Sequence, residues 1–465
     1  MKIKLSILLV LLTGSICMAY VPLSENSDSL IIEPNWESMA ANYEAPQWFV
    51  DGKFGIWSHW GPGSVADRPE GITFDKLIPL WKAEKWDPDA LVKFFKDNGA
   101  SFIMPVGCHH NNFDMYNSFH PWNSVEMGPK RDILGEWKAA AVKHGLKFGV
   151  SSHLYWSPSY WKKAREFQKE GTLEWKLYNM DYSPGGYRSQ DSWNEHWYAR
   201  CWDIIEKYDP DMFNNDSPYP DEKQGKSLGV KLFSSYINRD LKENGGEQTV
   251  VLSFKEMNMN KAAFTYNLER GMFGELQPYP WMWATDLSGS WNYRKGAEPR
   301  MSIPVLIGNA VDVISKNGVV MMNVALRGDG TLPENQAAML KALGDWLKIN
   351  GEGIYGTRPW ITYGEGPTEI ITSRIGENLE AYSPRDIRFT AKGDIIYAFV
   401  LAPPTGDIFI RKLCQKGLYT GTVAAITMLG SDEKLVWEHS RRGLLIKMPE
   451  KLPDQPVIGF KISSK

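Results

Sequence analysis

Between about residues 46 and 350 the chain alternates short apolar runs with helix-like stretches. The clearest runs are Phe54 to Trp57, Ser101 to Val106, Leu146 to Val150, Asp211 to Phe213, Thr249 to Phe254 and Val319 to Val324. Continuous apolar runs separated by helices predict parallel strands buried on both faces. One helix is predicted from Ile133 to His144, stopped by Gly145, and another ends near Tyr208. A further helix is marked by a capping-box start at Thr331-Leu332-Pro333-Glu334, helical spacing of Leu340, Leu343, Trp346 and Leu347, and a stop at Asn350-Gly351. About three hundred residues of this alternation, with no glycine-rich dinucleotide turn, predict an α/β fold: a (β/α)8-like TIM barrel.

After Trp360 the pattern becomes strand-like with turn residues between the segments. Thr368 to Thr372, Asp394 to Val400 and Leu444 to Met448 predict a C-terminal antiparallel β-sandwich. At the other end, Lys2 and Lys4 precede an apolar run from Leu5 to Leu12, and Cys-Met-Ala ends at Ala19. This reads as a secretory signal peptide, too short to span a bilayer. Lipidation of Cys17 is the alternative, opposed by Ile16 before it. The expected organisation is a signal peptide over 1–19, an N-terminal lead and catalytic barrel over 20–350, and the sandwich over 351–465. Secretion or a periplasmic location follows from it.

Composition narrows the partners. The chain has 465 residues, a formal net charge of -3 and no basic block, which argues against nucleic acid. Aromatic residues make up 13% of the chain, enough either for a large buried core or for stacking sugar rings. Beyond Cys17, the cysteines are Cys108, Cys201 and Cys414, which form neither a disulfide framework nor a CxxC zinc pattern.

Chemistry in such barrels sits where strands end at the C-terminal face. Those ends read Ser58-His59-Trp60, Cys108-His109-His110, Ser151-Ser152-His153, Asn214-Asn215-Asp216 and Lys255-Glu256. Four of the eight histidines fall there, predicting a polar pocket. Zinc is one reading. However, adjacent histidines on an extended chain point apart, and no HxH marks the first strand. A sugar site is the other: histidines and tryptophans bind hydroxyls and ring faces while carboxylates perform the chemistry. No metal and no cofactor is expected.

The stretches Lys53 to Pro62, His109-His110 with Phe113, Trp122-Asn123-Ser124, Gly128 to Asp132 and Gly145 to Gly149 occur in order. Tyr208 to Asp211 with Asp216, Ser290 to Tyr293, and Ser315 through Trp360 follow. In these motifs the chain resembles the α-L-fucosidases of glycoside hydrolase family 29, as a divergent member. The resemblance implies a distorted barrel followed by a β-sandwich, and a retaining exo-glycosidase acting on a terminal α-L-fucoside of an oligosaccharide or polysaccharide. Asp216 matches the family's nucleophile, and His59, His109 and His110 match its sugar-binding histidines. Trp60, His153, Lys255 and Trp281 complete the expected substrate contacts.

Departures from the family pattern also matter. Met282 stands where the family's acid/base glutamate is expected, and methionine transfers no proton. Glu269 and Glu275 are the candidate replacements, with Arg270 placed to neutralise Glu269. Lys255 stands for an expected arginine, Cys108 for a lysine, and Ser151 with Ser152 for an aromatic ring. Smaller serines imply a roomier pocket that would admit L-galactose, including a sulfated form met by Lys255 or Arg68. Two alternatives therefore accompany α-L-fucosidase: an α-L-galactosidase, and a catalytically inactive sugar-binding relative.

Overall fold

The computed structural model describes residues 32–157, 172–179, 190–216, 218–220, 227–255, 259–415, 417 and 421–464. The expected signal peptide, and Glu256, lie outside the described residues.

Eight parallel strands close into a barrel in sequence order. They are β1 (Phe54–Ser58), β2 (Phe102–Cys108), β3 (Lys147–Ser152), β4 (Met212–Asn215), β5 (Val251–Phe254), β6 (Thr265–Glu269), β7 (Trp281–Asp286) and β8 (Gly318–Val324). Six coincide with the predicted apolar runs. The sequence pattern misses β6 and β7 because no α-helix is described between β5 and β6 or between β6 and β7. The alternation of strand and helix lapses there, and Tyr-Asn-Leu-Glu is too polar to read as a buried run.

Side chains alternate inward and outward along each strand, and the inward set sorts by height. Trp57, Phe102, Met104, Met212, Val251, Met282, Val319 and Met321 form one buried cluster that fills the barrel. Two residues further on, the same inward register reaches Ser151, Asn214, Ser253 and Asn267, all buried. One more step of two reaches His153, Asp216, Lys255 and Glu269. The barrel thus changes from apolar to charged toward the strands' C-terminal ends. The outward side chains, among them Ile56, Ile103, Val150 and Leu268, pack beneath the helices in a larger cluster. At the tight start of β1 glycine is required: a Cβ on Gly55 would meet the Phe102 ring at 2.3 Å.

The helix over Ile133–His144 runs as predicted, and Gly145 closes it at φ 67°, a left-handed conformation suited to glycine. The helix after β8 spans Glu334–Asn350 and ends where the sequence places its stop. Its start differs from the predicted capping box. Pro333 is the N-cap, the Thr331 hydroxyl donates to Asp329 at 2.7 Å, and Glu334 pairs with Arg327, so neither side chain caps the helix.

Beyond it, β9 (Arg358–Glu365), β10 (Ile387–Lys392), β11 (Ile395–Val400), β13 (Val423–Met428) and β16 (Ile458–Ser464) form an antiparallel sheet in the order β13-β16-β11-β10-β9. Strands β12 (Ile408–Ile410), β14 (Val436–Ser440) and β15 (Gly443–Lys447) form a second, ordered β12-β15-β14. Their facing side chains share one core. The predicted strand at Thr368 to Thr372 is not a strand. Its polar groups bind outside any ladder: Thr368 to Asp386, and the Thr372 hydroxyl to the Gly274 amide at 2.9 Å.

A buried ionic group joins barrel and sheet. Asp312, on the helix Ile303–Ser315, accepts from Arg388 of β10 at 2.5 Å and from Lys316 at 2.8 Å, with all three side chains nearly inaccessible. Asp312→Ala would strand two cations. It is expected to cost about 3–5 kcal/mol, measured as a lower urea midpoint at unchanged slope.

Candidate active site

At the C-terminal mouth, Lys255 joins two carboxylates. Its ammonium lies 2.5 Å from Asp216 Oδ1 and 2.6 Å from Glu269 Oε2. With both oxygens held to one nitrogen, they lie within about 5.1 Å of each other. Burial would lower the lysine's pKa, but the two carboxylates overcome that and hold it above its ordinary value. The Asp216 side chain is 8% exposed and that of Glu269 32%. Arg270, expected beside Glu269, turns away and grips Asp286 at 2.6 Å.

Asp216 Oδ2 faces His153 Nδ1 at 2.9 Å. His153 stacks on His109 with ring centroids 4.7 Å apart and meets His59 edge-on at 5.1 Å. His110 donates from Nδ1 to the His153 carbonyl at 2.9 Å. His59 is held by Asn323 of β8, whose Oδ1 accepts from both its backbone amide, at 3.0 Å, and its Nδ1, at 2.7 Å. Burial, first of all causes, keeps the four imidazoles neutral. His59 falls to about 3, His109 and His153 fall well below the usual range, and His110 is lowered. Neutral rings can donate to or accept from sugar hydroxyls. Ring nitrogens of His59, His109 and His153 come within 4.8 Å of one another, near enough to weigh as a cation site. His153, however, has both nitrogens engaged, by Asp216 and by Ser151, and His59 has one on Asn323. As arranged, they form a hydrogen-bonding wall.

A cleft of about 940 Å³ opens here, lined in part by His59, Trp60, His109, Asn111, Trp291 and Arg68. Trp60 is locked between Trp81 and Trp86, with both centroids at 5.0 Å, and its indole donates to the Arg327 carbonyl at 2.8 Å.

The structure corrects four sequence readings. Trp281 begins β7 at the opposite end of the barrel and faces outward, packing on Phe273 and donating to the Lys316 carbonyl at 3.0 Å, so it touches nothing in the pocket. Met282 faces inward but at the apolar barrel base, where a proton donor could not meet substrate. Glu275 lies exposed on the loop descending from β6 to β7, two residues from the Gln277 amide that donates to Lys316, and is not brought to the site. Ser151 and Ser152 do not widen the pocket. Ser151 is buried beneath His153, and Ser152 contacts Cys201. Among residues missed in the sequence, Trp291 is the foremost. It packs on His59 at 5.2 Å and Trp57 at 5.4 Å, and Arg270 sits over its ring at 4.9 Å. Its motif, Ser290 to Tyr293, was visible in the sequence, but its direction was not.

The family model described as alpha-L-fucosidase matches residues 20–70 and 68–352, and that of the alpha-L-fucosidase C-terminal domain matches 382–462. The tissue alpha-L-fucosidase of Mus musculus is 24% identical over 458 residues, covering 90% of this chain and 91% of that protein. The plasma alpha-L-fucosidase of Homo sapiens is 26% identical, covering 90% and 88%. The Thermotoga maritima alpha-fucosidase, solved in complex with fucose, is 26% identical with a TM-score of 0.70, covering 93% of this chain and all of that one.

The depressed His59 has a consequence for stability. From about pH 6.5 down to its folded value near 3, the unfolded chain binds a proton that the folded chain refuses. Stability therefore falls as pH drops through that window, by up to about 1.4 kcal/mol per pH unit from this residue. Urea unfolding at a series of pH values should give His59→Gln a correspondingly shallower dependence than the unaltered protein.

Proposed function

The chain belongs to the α-L-fucosidase family and is a glycoside hydrolase, and from that membership we propose that it is a secreted, retaining exo-enzyme that releases terminal α-L-fucose from oligosaccharide or polysaccharide. The observation that carries the retaining reading is the spacing of Asp216 and Glu269 on one lysine. Carboxyl groups about 5–5.5 Å apart suit double displacement, whereas inversion needs about 6.5–9.5 Å to admit water.

In the first step Asp216 attacks the anomeric carbon, the C1–O bond breaks through an oxocarbenium-like transition state, and a glycosyl-enzyme forms. The ammonium of Lys255 and the donor at His153 Nδ1 aim Asp216 by two contacts. Glu269 gives a proton to the departing oxygen. The Lys255–Glu269 contact occupies the carboxyl group, so it must open when substrate enters between them. In the second step Glu269 takes a proton from water, which attacks C1 and releases the sugar with its starting configuration. His59, His109 and His110 hydrogen-bond the sugar hydroxyls, while Trp60 and Trp291 flank the ring's apolar surface.

The α-L-galactosidase alternative loses its structural premise, because the two serines open no space and Lys255 is engaged by carboxylates. The inactive-relative alternative rested on Met282, which lies far from the mouth. Among the described residues no helix is long and apolar enough to cross a membrane. The signal peptide reading is tested by sequencing the N-terminus of exported protein, which should begin after Ala19.

Asp216→Asn should lower kcat on 4-nitrophenyl α-L-fucoside by about a thousandfold or more. Unchanged turnover removes Asp216 as nucleophile. Azide added to Asp216→Gly should yield the β-fucosyl azide, and added to Glu269→Ala the α-fucosyl azide, with proton NMR reading the anomer. Rescue of a Glu275 variant instead would move the acid/base assignment. Faster release from the matched α-L-galactoside than from the fucoside would reverse the substrate assignment.

A further inference from the structure

Beneath the pocket, a chain of buried polar side chains runs across the barrel interior to the proposed nucleophile. Asn267 of β6 donates from Nδ2 to Asn214 Oδ1 at 3.2 Å. Asn214 of β4 donates from Nδ2 to Ser151 Oγ at 2.9 Å. Ser151 of β3 lies 2.9 Å from His153 Nε2, and His153 Nδ1 lies 2.9 Å from Asp216 Oδ2. Asn267, Asn214, Ser151 and His153 are at most 1% exposed, so water cannot easily replace a missing partner.

The Asp216 carboxylate only accepts, so the Nδ1 of His153 that faces it carries the proton and Nε2 of the neutral ring is the bare, accepting nitrogen. Ser151 Oγ accepts from Asn214, because an amide nitrogen only donates, and its hydroxyl proton serves Nε2. The other tautomer would set a lone pair of Nδ1 against the Asp216 carboxylate and a second N–H against the Ser151 hydroxyl. None of the four groups touches the cleft surface directly enough to bind a sugar by itself. All four follow the inward register of neighbouring strands.

We propose that Ser151 and His153 are positioning residues for nucleophilic attack: the Asn267–Asn214–Ser151 chain locks His153 in the Nδ1–H tautomer, and that N–H orients Asp216 toward the anomeric carbon. The inference rests on Asp216 being the nucleophile. Its effect belongs in the chemical step, since a carboxylate free to rotate loses attack geometry while substrate binding by His59, His109 and His110 is retained. Ser151 therefore acts on the rate through one specific ring proton, as an outer residue orienting an inner one.

The test is a double-mutant cycle in the full chain, using Ser151→Ala, His153→Asn and both together. An asparagine amide can reproduce the Nδ1–H donor without needing Ser151. On 4-nitrophenyl α-L-fucoside, Ser151→Ala alone should lower kcat about 10- to 100-fold, as expected when the freed ring gives up its hydrogen bond to the charged Asp216, with KM within about twofold. In the His153→Asn background the same change should cost less than about twofold. An equal loss in both backgrounds, or no loss in either, overturns the relay and assigns Ser151 to packing alone. A second reading needs no turnover: nitrogen-15 NMR of histidine-labelled protein, with His153 assigned from His153→Asn. It should show protonated Nδ1 and bare Nε2, and an altered tautomer population in Ser151→Ala. A protonated Nε2 in the unaltered protein overturns the proposal. Failure of the nucleophile reading is separate, since it appears as full turnover by Asp216→Asn whatever the cycle gives.

Discussion

A buried ammonium held between two carboxylates organises the mouth of this barrel. Burial opposes the charge on Lys255, because removing an ion from water costs several kcal/mol. Asp216 and Glu269 restore it, with Glu269 at the more open side. The spacing of the two acids is then set by the reach of one nitrogen. That nitrogen keeps the two acids on one side of the mouth, facing the same space.

Around this ionic centre the histidines contribute by being neutral. Four imidazoles crowd within one ring contact of each other, and burial keeps the proton count low. A charged cluster would repel itself and compete with Lys255 for Asp216. Neutral rings present donors and acceptors whose directions are fixed by their other nitrogen: His59 by Asn323, His110 by the His153 carbonyl, His153 by Ser151. Asn323 also donates to the Trp291 carbonyl at 2.9 Å, tying an aromatic wall of the cleft to the same frame.

The barrel is graded along its axis, and this grading explains both what the sequence disclosed and what it concealed. Methionine, valine and phenylalanine fill the base, serine and asparagine the middle, and charged residues the mouth. Where a strand follows a helix and carries a continuous apolar run, as at β2 or β8, its end and its polar residue are readable. Where no α-helix intervenes, as before β6 and β7, the register is lost. Trp281 and Met282 illustrate the cost. They are adjacent in a motif-rich stretch, yet one faces outward and the other inward at the wrong height.

Sequence alone therefore determined the barrel, the antiparallel C-terminal sheets and the placing of His59, His109, His153, Asp216 and Lys255 at strand ends, through local period, and the family through its ordered motifs. The positions of Glu269 beside Lys255 with Glu275 exposed elsewhere, of Trp291 on His59, and of Trp281 away from the mouth were decided only in three dimensions. Each depends on where a neighbouring strand sits across the barrel, and closure of the sheet sets that through pairings distant in the chain. The same holds for Ser151. In the sequence it is a small residue where a ring was expected, and only closure of the barrel brings it between Asn214 and the histidine that faces Asp216.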